Sequence, residues 1–116
     1  MSTNAIVFGW KQSIPGRESL SGQHFQEFLQ YLQQQQSQGV IESFEPVLLE
    51  PHSGDLHGFF FIKGEPSKLA TLVGSPEWVQ HQVRATLHMT GMTLMRGVTG
   101  AAVMERMGMW MKAIPK

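Results

Sequence analysis

Bulky and smaller apolar residues alternate along the first stretch of the chain. In NAIVFGWK, residues 4–11, Ile6, Phe8 and Trp10 fall on one side and Ala5, Val7 and Gly9 on the other, the period of a β-strand. The next segment, SIPGRESLSG, is rich in turn formers and reads as a loop. From Ser21 to Gln38 the period changes. Phe25, Phe28, Leu29 and Leu32 follow i, i+3, i+4, i+7, the apolar stripe of a helix, with Ser19 or Ser21 as N-cap and Gly39 as its stop. Residues 40–49 read as a second strand, which Pro46 assigns to a sheet edge or a bulge.

After the PHSGD turn, residues 57–63 read as a third strand forming a hairpin with the second. Here alternation fails: Phe59, Phe60, Phe61 and Ile62 run consecutively. A strand with apolar residues on both sides has both faces covered. Two helices then start at Pro66 and Pro76, proline being suited to a first helical position. The buried side of the second helix passes through Trp78 or Val79, Gln82 or Val83, and Thr86 or Leu87. Residues 91–98 form a fourth strand, and residues 99–114 a last helix with Val103, Met107, Trp110 and Ile114 along one stripe.

The resulting order is β-α-β-β-α-β with a split second helix and an added C-terminal helix. This is an α+β, ferredoxin-like plan, a four-stranded antiparallel sheet with helices on one face, in a single domain spanning 1–116. Helices cover only one sheet face. Phe59 with Phe61, or Phe60 with Ile62, would then remain on the other. A second copy of the chain, forming a homodimer through the sheet face, would bury them.

Element order and the stretch GFFFIKGEPSKLATLVGSPEW together resemble the dimeric α+β barrel superfamily, in which two ferredoxin-like subunits pack sheet to sheet. The resemblance covers nearly the whole chain. It implies kinship with antibiotic-biosynthesis-type monooxygenases, haem-degrading enzymes, YCII-like proteins, stress-responsive barrel proteins and members without known activity; a shared fold does not choose among these. From the monooxygenase and haem-degrading relatives it implies a helical His and a first-strand Asn, here His81 and Asn4. From YCII-like relatives it implies a His–Asp pair, here His57 with Asp55.

Composition narrows the possibilities. The 116 residues carry nine basic and nine acidic side chains with no marked clustering, which argues against a nucleic-acid footprint or a polybasic membrane patch. No stretch reaches the length of a membrane span and no signal peptide is evident, so a cytoplasmic protein is expected. There is no cysteine, which excludes disulfides and thiolate metal sites. The five histidines, His24, His52, His57, His81 and His88, show no i, i+3 or i, i+4 spacing, and no metal or cofactor is expected.

Arg96 stands mid-strand between Met95 and Gly97, where a buried guanidinium needs a partner: Glu42, Glu45 or an anionic or carbonyl-bearing ligand. Trp10 and His57, at the ends of neighbouring strands, could line one cavity with it. Seven of the eight methionines lie between Met89 and Met111, as a soft core under the last helix or as an adaptable pocket or interface. The expected function is binding of a small apolar or aromatic ligand in a cavity on the sheet face, with Trp10, His57, His81 and Arg96 as candidate contacts. The alternatives are a cofactor-light monooxygenase or isomerase using His57, His81 or Arg96, and a haem-binding protein with a His ligand.

Overall fold

The computed structural model describes residues 2–115. The elements follow as β1 (Ala5–Trp10), β2 (Gln12–Ser13), α1 (Glu18–Ser37), β3 (Ser43–Leu48), β4 (Gly58–Lys63), α2 (Pro66–Val73), α3 (Pro76–Ala85), β5 (Met89–Thr90), β6 (Thr93–Gly97) and α4 (Ala102–Ala113). The main sheet is open, antiparallel throughout and ordered β3-β4-β1-β6. This small α+β architecture is compatible with the ferredoxin-like plan.

Register explains the phenylalanine run. Phe8 sits opposite Phe60 and Leu94, and Ile6 opposite Ile62. These side chains share the face on which the helices lie, where they enter one core with Phe28 and Leu32 of α1, Leu69 and Leu72 of α2, and Trp78 of α3. Ile6, Leu32, Ile62 and Trp78 are essentially inaccessible to solvent. Each such aliphatic side chain contributes about 1.5–3 kcal/mol by leaving water. On the opposite face, Val7 lies against Phe61 and Met95, and Phe59 against Val47. Phe59 and Phe61 are half-buried there, and Met95 is exposed.

The proline positions behave as expected: Pro66 and Pro76 open α2 and α3, and Pro46 lies on β3, an edge strand. Glu65 caps α2 by accepting from the backbone N–H groups of Ser67 and Lys68, and Ser75 caps α3 by accepting from that of Trp78. Gly39 ends α1 in the left-handed region, φ 76°.

Three features differ from the sequence reading. Helix α1 begins at Glu18, so Ser21 lies inside it and its hydroxyl is free for other partners; Arg17 occupies the N-cap without a side-chain capping bond, its guanidinium donating instead to the Leu87 carbonyl. The buried stripe of α1 runs through His24, Phe28, Tyr31 and Leu32, and Phe25 and Leu29 flank it. Helix α4 buries none of its residues, so its methionines form no core beneath it. Its projection is visible in the radius of gyration, 15.9 Å, against about 13 Å expected for a compact domain of this length. The side chain of Asn4 pins the root of α4, donating to the Thr99 carbonyl at 3.1 Å and accepting from the Thr99 N–H at 2.9 Å.

A small antiparallel ribbon, β2 with β5, was not anticipated. It draws the segment after α3 back onto the start of α1, helped by the Ile14 N–H bonding the His88 carbonyl at 2.8 Å. The turn after it needs Gly91: its φ is 64°, and a β-carbon would stand 2.7 Å from Cβ of Lys11.

Candidate functional site

The ribbon helps bring His24 together with His81 and His88, which lie 57 and 64 residues further along the chain. His24 projects from α1 toward the core, one turn after Ser21 and one before Phe28, positions that share a helix face. His81 projects from α3, and His88 follows that helix. The His24 ring lies between the other two, with Nδ1 2.8 Å from Nε2 of His88 and Nε2 3.0 Å from Nδ1 of His81. At the inner end, Ser21 Oγ is 2.8 Å from Nδ1 of His88. The result is an unbroken hydrogen-bonded chain, Ser21–His88–His24–His81.

Burial grades along it. His24 and His88 each keep 5% of their surface, and His81 is half-buried. The His81 ring packs on Tyr31 and Phe28, with centroids 4.7 and 5.2 Å away. Beside the chain, Arg84 of α3 forms an ion pair with Glu27 of α1.

Burial is the main force on all three imidazoles, since desolvation disfavours the cation. It lowers the His24 pKa from 6.5 to about 4, with Arg84 and the two neighbouring histidines pushing the same way and Glu27 opposing. Burial and then Arg84 also lower His81, against Glu27 and Glu77, and both lower His88. At neutral pH the three rings are therefore uncharged, each carrying one N–H.

The inner end of the chain opens on a cavity of ≈ 50 Å³ between sheet and helices. Phe8, Trp10, Phe25 and Phe60 form its aromatic wall, Met89 and Met92 flank it, and Ser21, His24 and His88 provide its polar side. Trp10, Phe25 and Phe60 pack mutually at centroid separations of 5.2–6.2 Å. The outer end, His81, opens on a surface cleft shared with Glu77, Gln80 and Arg84. Among the described residues, no group of His, Asp and Glu is disposed to hold a metal ion. The nitrogens of His24 face other nitrogens rather than a common point, and both nitrogens of His88 are engaged as well.

Of the four candidate residues, Trp10 lines the cavity and His81 ends the imidazole chain. His57 lies elsewhere. It stacks on His52 at 4.5 Å and is 2.7 Å from the Gly54 carbonyl through Nε2, bracing the β3–β4 turn. Asp55 pairs with Lys11 at 3.5 Å rather than with His57. Arg96 is exposed on β6, an edge strand, and has no carboxylate partner among the described residues; Glu45 lies on β3, at the opposite edge. Asn4 spends its amide on Thr99.

Sequence reasoning passed over His24, His88 and Ser21. One signal was present: His24 continues the Phe28, Tyr31, Leu32 stripe one turn back, marking it as a core-facing polar residue. His88 carried no such mark, because the ribbon that positions it is only two residues long on each side.

No helix among the described residues is long and apolar enough to cross a membrane. Comparison with known protein families, with curated proteins and with solved structures finds no match to the chain.

Proposed function

We propose that this protein binds a small, largely apolar or aromatic molecule in the cavity beside α1, with the ligand's polar end meeting the Ser21 hydroxyl. The observation that carries the reading is the cavity's construction: aromatic walls, two adaptable methionines and one polar side, the usual make-up of a small-molecule site. Its volume is about a third of the roughly 150 Å³ that accommodates benzene. A single ring therefore enters only as Met89 and Met92 move aside, with its polar end held at Ser21.

We also propose that the chain is a ferredoxin-like subunit of a homodimer of the dimeric α+β barrel type. The half-buried Phe59 and Phe61, the exposed Met95 and a helix with no buried residue, in which Met104 is 74% exposed, favour a second copy as cover. Acid–base chemistry of the isomerase type is a second reading, favoured by the imidazole chain at the polar wall.

The test of binding is NMR of protein labelled at the methionine methyls, titrated with phenol. The Met89 and Met92 signals shift and saturate, and Ala85→Leu, which fills the cavity that Ala85 also lines, abolishes the effect. Signals that stay in place throughout the titration would refute the binding reading. Sedimentation of the native chain at twice the monomer mass supports the dimer, and a monomer at all concentrations rejects it.

A further inference from the structure

The imidazole chain has a property that none of its members has alone. Neutral histidine carries one N–H, so every nitrogen-to-nitrogen link needs one proton, supplied from one side only. Two patterns satisfy all links. In the first, Ser21 donates to Nδ1 of His88, Nε2–H of His88 donates to His24, and Nε2–H of His24 donates to His81, which turns its own Nε2–H outward. In the second every direction is reversed: His81 donates from Nδ1 to His24, His24 from Nδ1 to His88, and His88 from Nδ1 to Ser21. The Ser21 hydroxyl, whose oxygen also accepts from the Ser13 hydroxyl, then has Met89 Sδ at 3.2 Å and the His88 carbonyl at 3.4 Å as acceptors. Neither pattern leaves a buried nitrogen unpaired, and each proton can hop along its own link; the hops convert the first pattern into the second when Ser21 takes up one proton and His81 releases its outward one.

We propose that Ser21, His88, His24 and His81 form a proton relay joining the cavity to the surface cleft beside Glu77, and that the cavity's ligand is a weak acid of the phenol or enol class that exchanges a proton through it. Starting from the first pattern, the ligand O–H gives its proton to Ser21 Oγ as the Ser21 proton passes to Nδ1 of His88. The Nε2 proton of His88 passes to His24, that of His24 passes to His81, and the Nε2 proton of His81 leaves to water in the cleft. One O–H bond breaks in the ligand, one proton emerges outside, and the ligand oxyanion remains hydrogen-bonded to Ser21. Running backwards, the same hops return a proton to an enolate. No oxidant or metal takes part.

The outer end is suited to the exchange. His81 is the most accessible of the three and faces Glu77 and Arg84 on its own helix and His24 and Glu27 on α1. His88 faces Ser21, His24 and Arg84 from within the protein. In the second pattern a proton arriving from water lands on the open Nε2 of His81; in the first, where that nitrogen is already protonated, the added proton enters at Ser21 and the hops deliver one to Nδ1 of His81. A doubly protonated His81 necessarily presents Nδ1–H to His24, which forces the second pattern on both inner rings while they stay neutral.

Long-range ¹H–¹⁵N spectra of the ligand-free protein, recorded while the pH is lowered through the titration of His81, test this. In the wild type, His24 and His88 convert together to Nδ1–H tautomers as His81 becomes charged. In His81→Leu, checked for native dispersion, no conversion occurs over that pH range. Inner rings that keep their tautomers while His81 titrates, or that convert equally in His81→Leu, overturn the relay. The relay rests on the binding reading only for the identity of the proton's recipient. Failure of phenol to bind removes the ligand assignment alone, whereas a static tautomer pattern removes the relay whatever the cavity holds.

Discussion

Acidification from pH 7 to pH 5 should destabilise this protein through His24. The folded-state pKa is about 4 against an ordinary 6.5, and burial is the principal cause. Because the folded value is depressed, the unfolded chain binds the proton first. The stability attributable to the neutral, buried ring is complete above pH 6.5, falls as pH drops below it, and ceases to change below about 4. Between pH 7 and 5 these two values give a loss of about 2 kcal/mol from His24 alone. His81 and His88 are shifted in the same direction and add to it. Glu65, whose carboxyl is held below 4.5 by its hydrogen bonds to Ser67, titrates beneath this window. Urea unfolding followed by tryptophan fluorescence measures the effect, and with a slope of about 2 kcal/mol/M the midpoint falls by roughly 1 M. In His24→Gln, which has no charge to take up, the pH dependence over the same interval shrinks by about 2 kcal/mol, whatever the variant's absolute stability. Equal pH slopes for the two proteins would show that His24 is accessible to protons in the fold, and the burial argument would fail.

Two further substitutions probe the core and the cavity wall. Trp78 is wholly buried against Phe8 and Phe28, yet its indole N–H has no hydrogen-bond partner among the described residues. Trp78→Ala should therefore cost about 3–5 kcal/mol in chemical denaturation, and Trp78→Phe, which keeps a ring and loses no hydrogen bond, about 1–3 kcal/mol; equal losses would contradict this. At Gly58 an added β-carbon would stand 2.5 Å from Cζ2 of Trp10. Gly58→Ala should displace the indole, costing about 1–3 kcal/mol and changing the Trp10 emission, while an unshifted spectrum of native intensity would count against that contact.

Much of the fold was legible because local signals agreed with one another. The prolines at 66 and 76 started helices, Pro46 marked an edge strand, Gly39 ended α1, and the run from Phe59 to Ile62 announced a strand with apolar residues on both faces. The N-terminus of α1 was misread because Ser21 is a good capping residue by type, and its hydroxyl is instead bound to His88. The α4 stripe looked like a core stripe because periodicity records which face is apolar and says nothing about what covers it. The candidate site was harder to read. Its histidines come from α1, α3 and the segment after α3, and their meeting depends on a two-residue ribbon and a left-handed glycine. Arg96 seemed to demand a partner only while its strand was taken as buried; on an edge strand, water satisfies it.

The placement of β1 has a consequence for how the chain is made. This strand precedes the other strands of the sheet in sequence yet lies in its middle, with β4 on one side and β6, the last of the described strands, on the other. The side-chain clasp that closes this pairing joins residues 95 positions apart, Asn4 and Thr99. A growing polypeptide can assemble β1, β3 and β4, but it carries an open, apolar β1 edge until β6 has been synthesised. Such an edge invites pairing with other chains, and a closure over so long a separation is slow. Truncations that remove β6 should consequently aggregate rather than yield a smaller folded unit. The interval before β6 leaves the ribosome is when this protein most needs a chaperone.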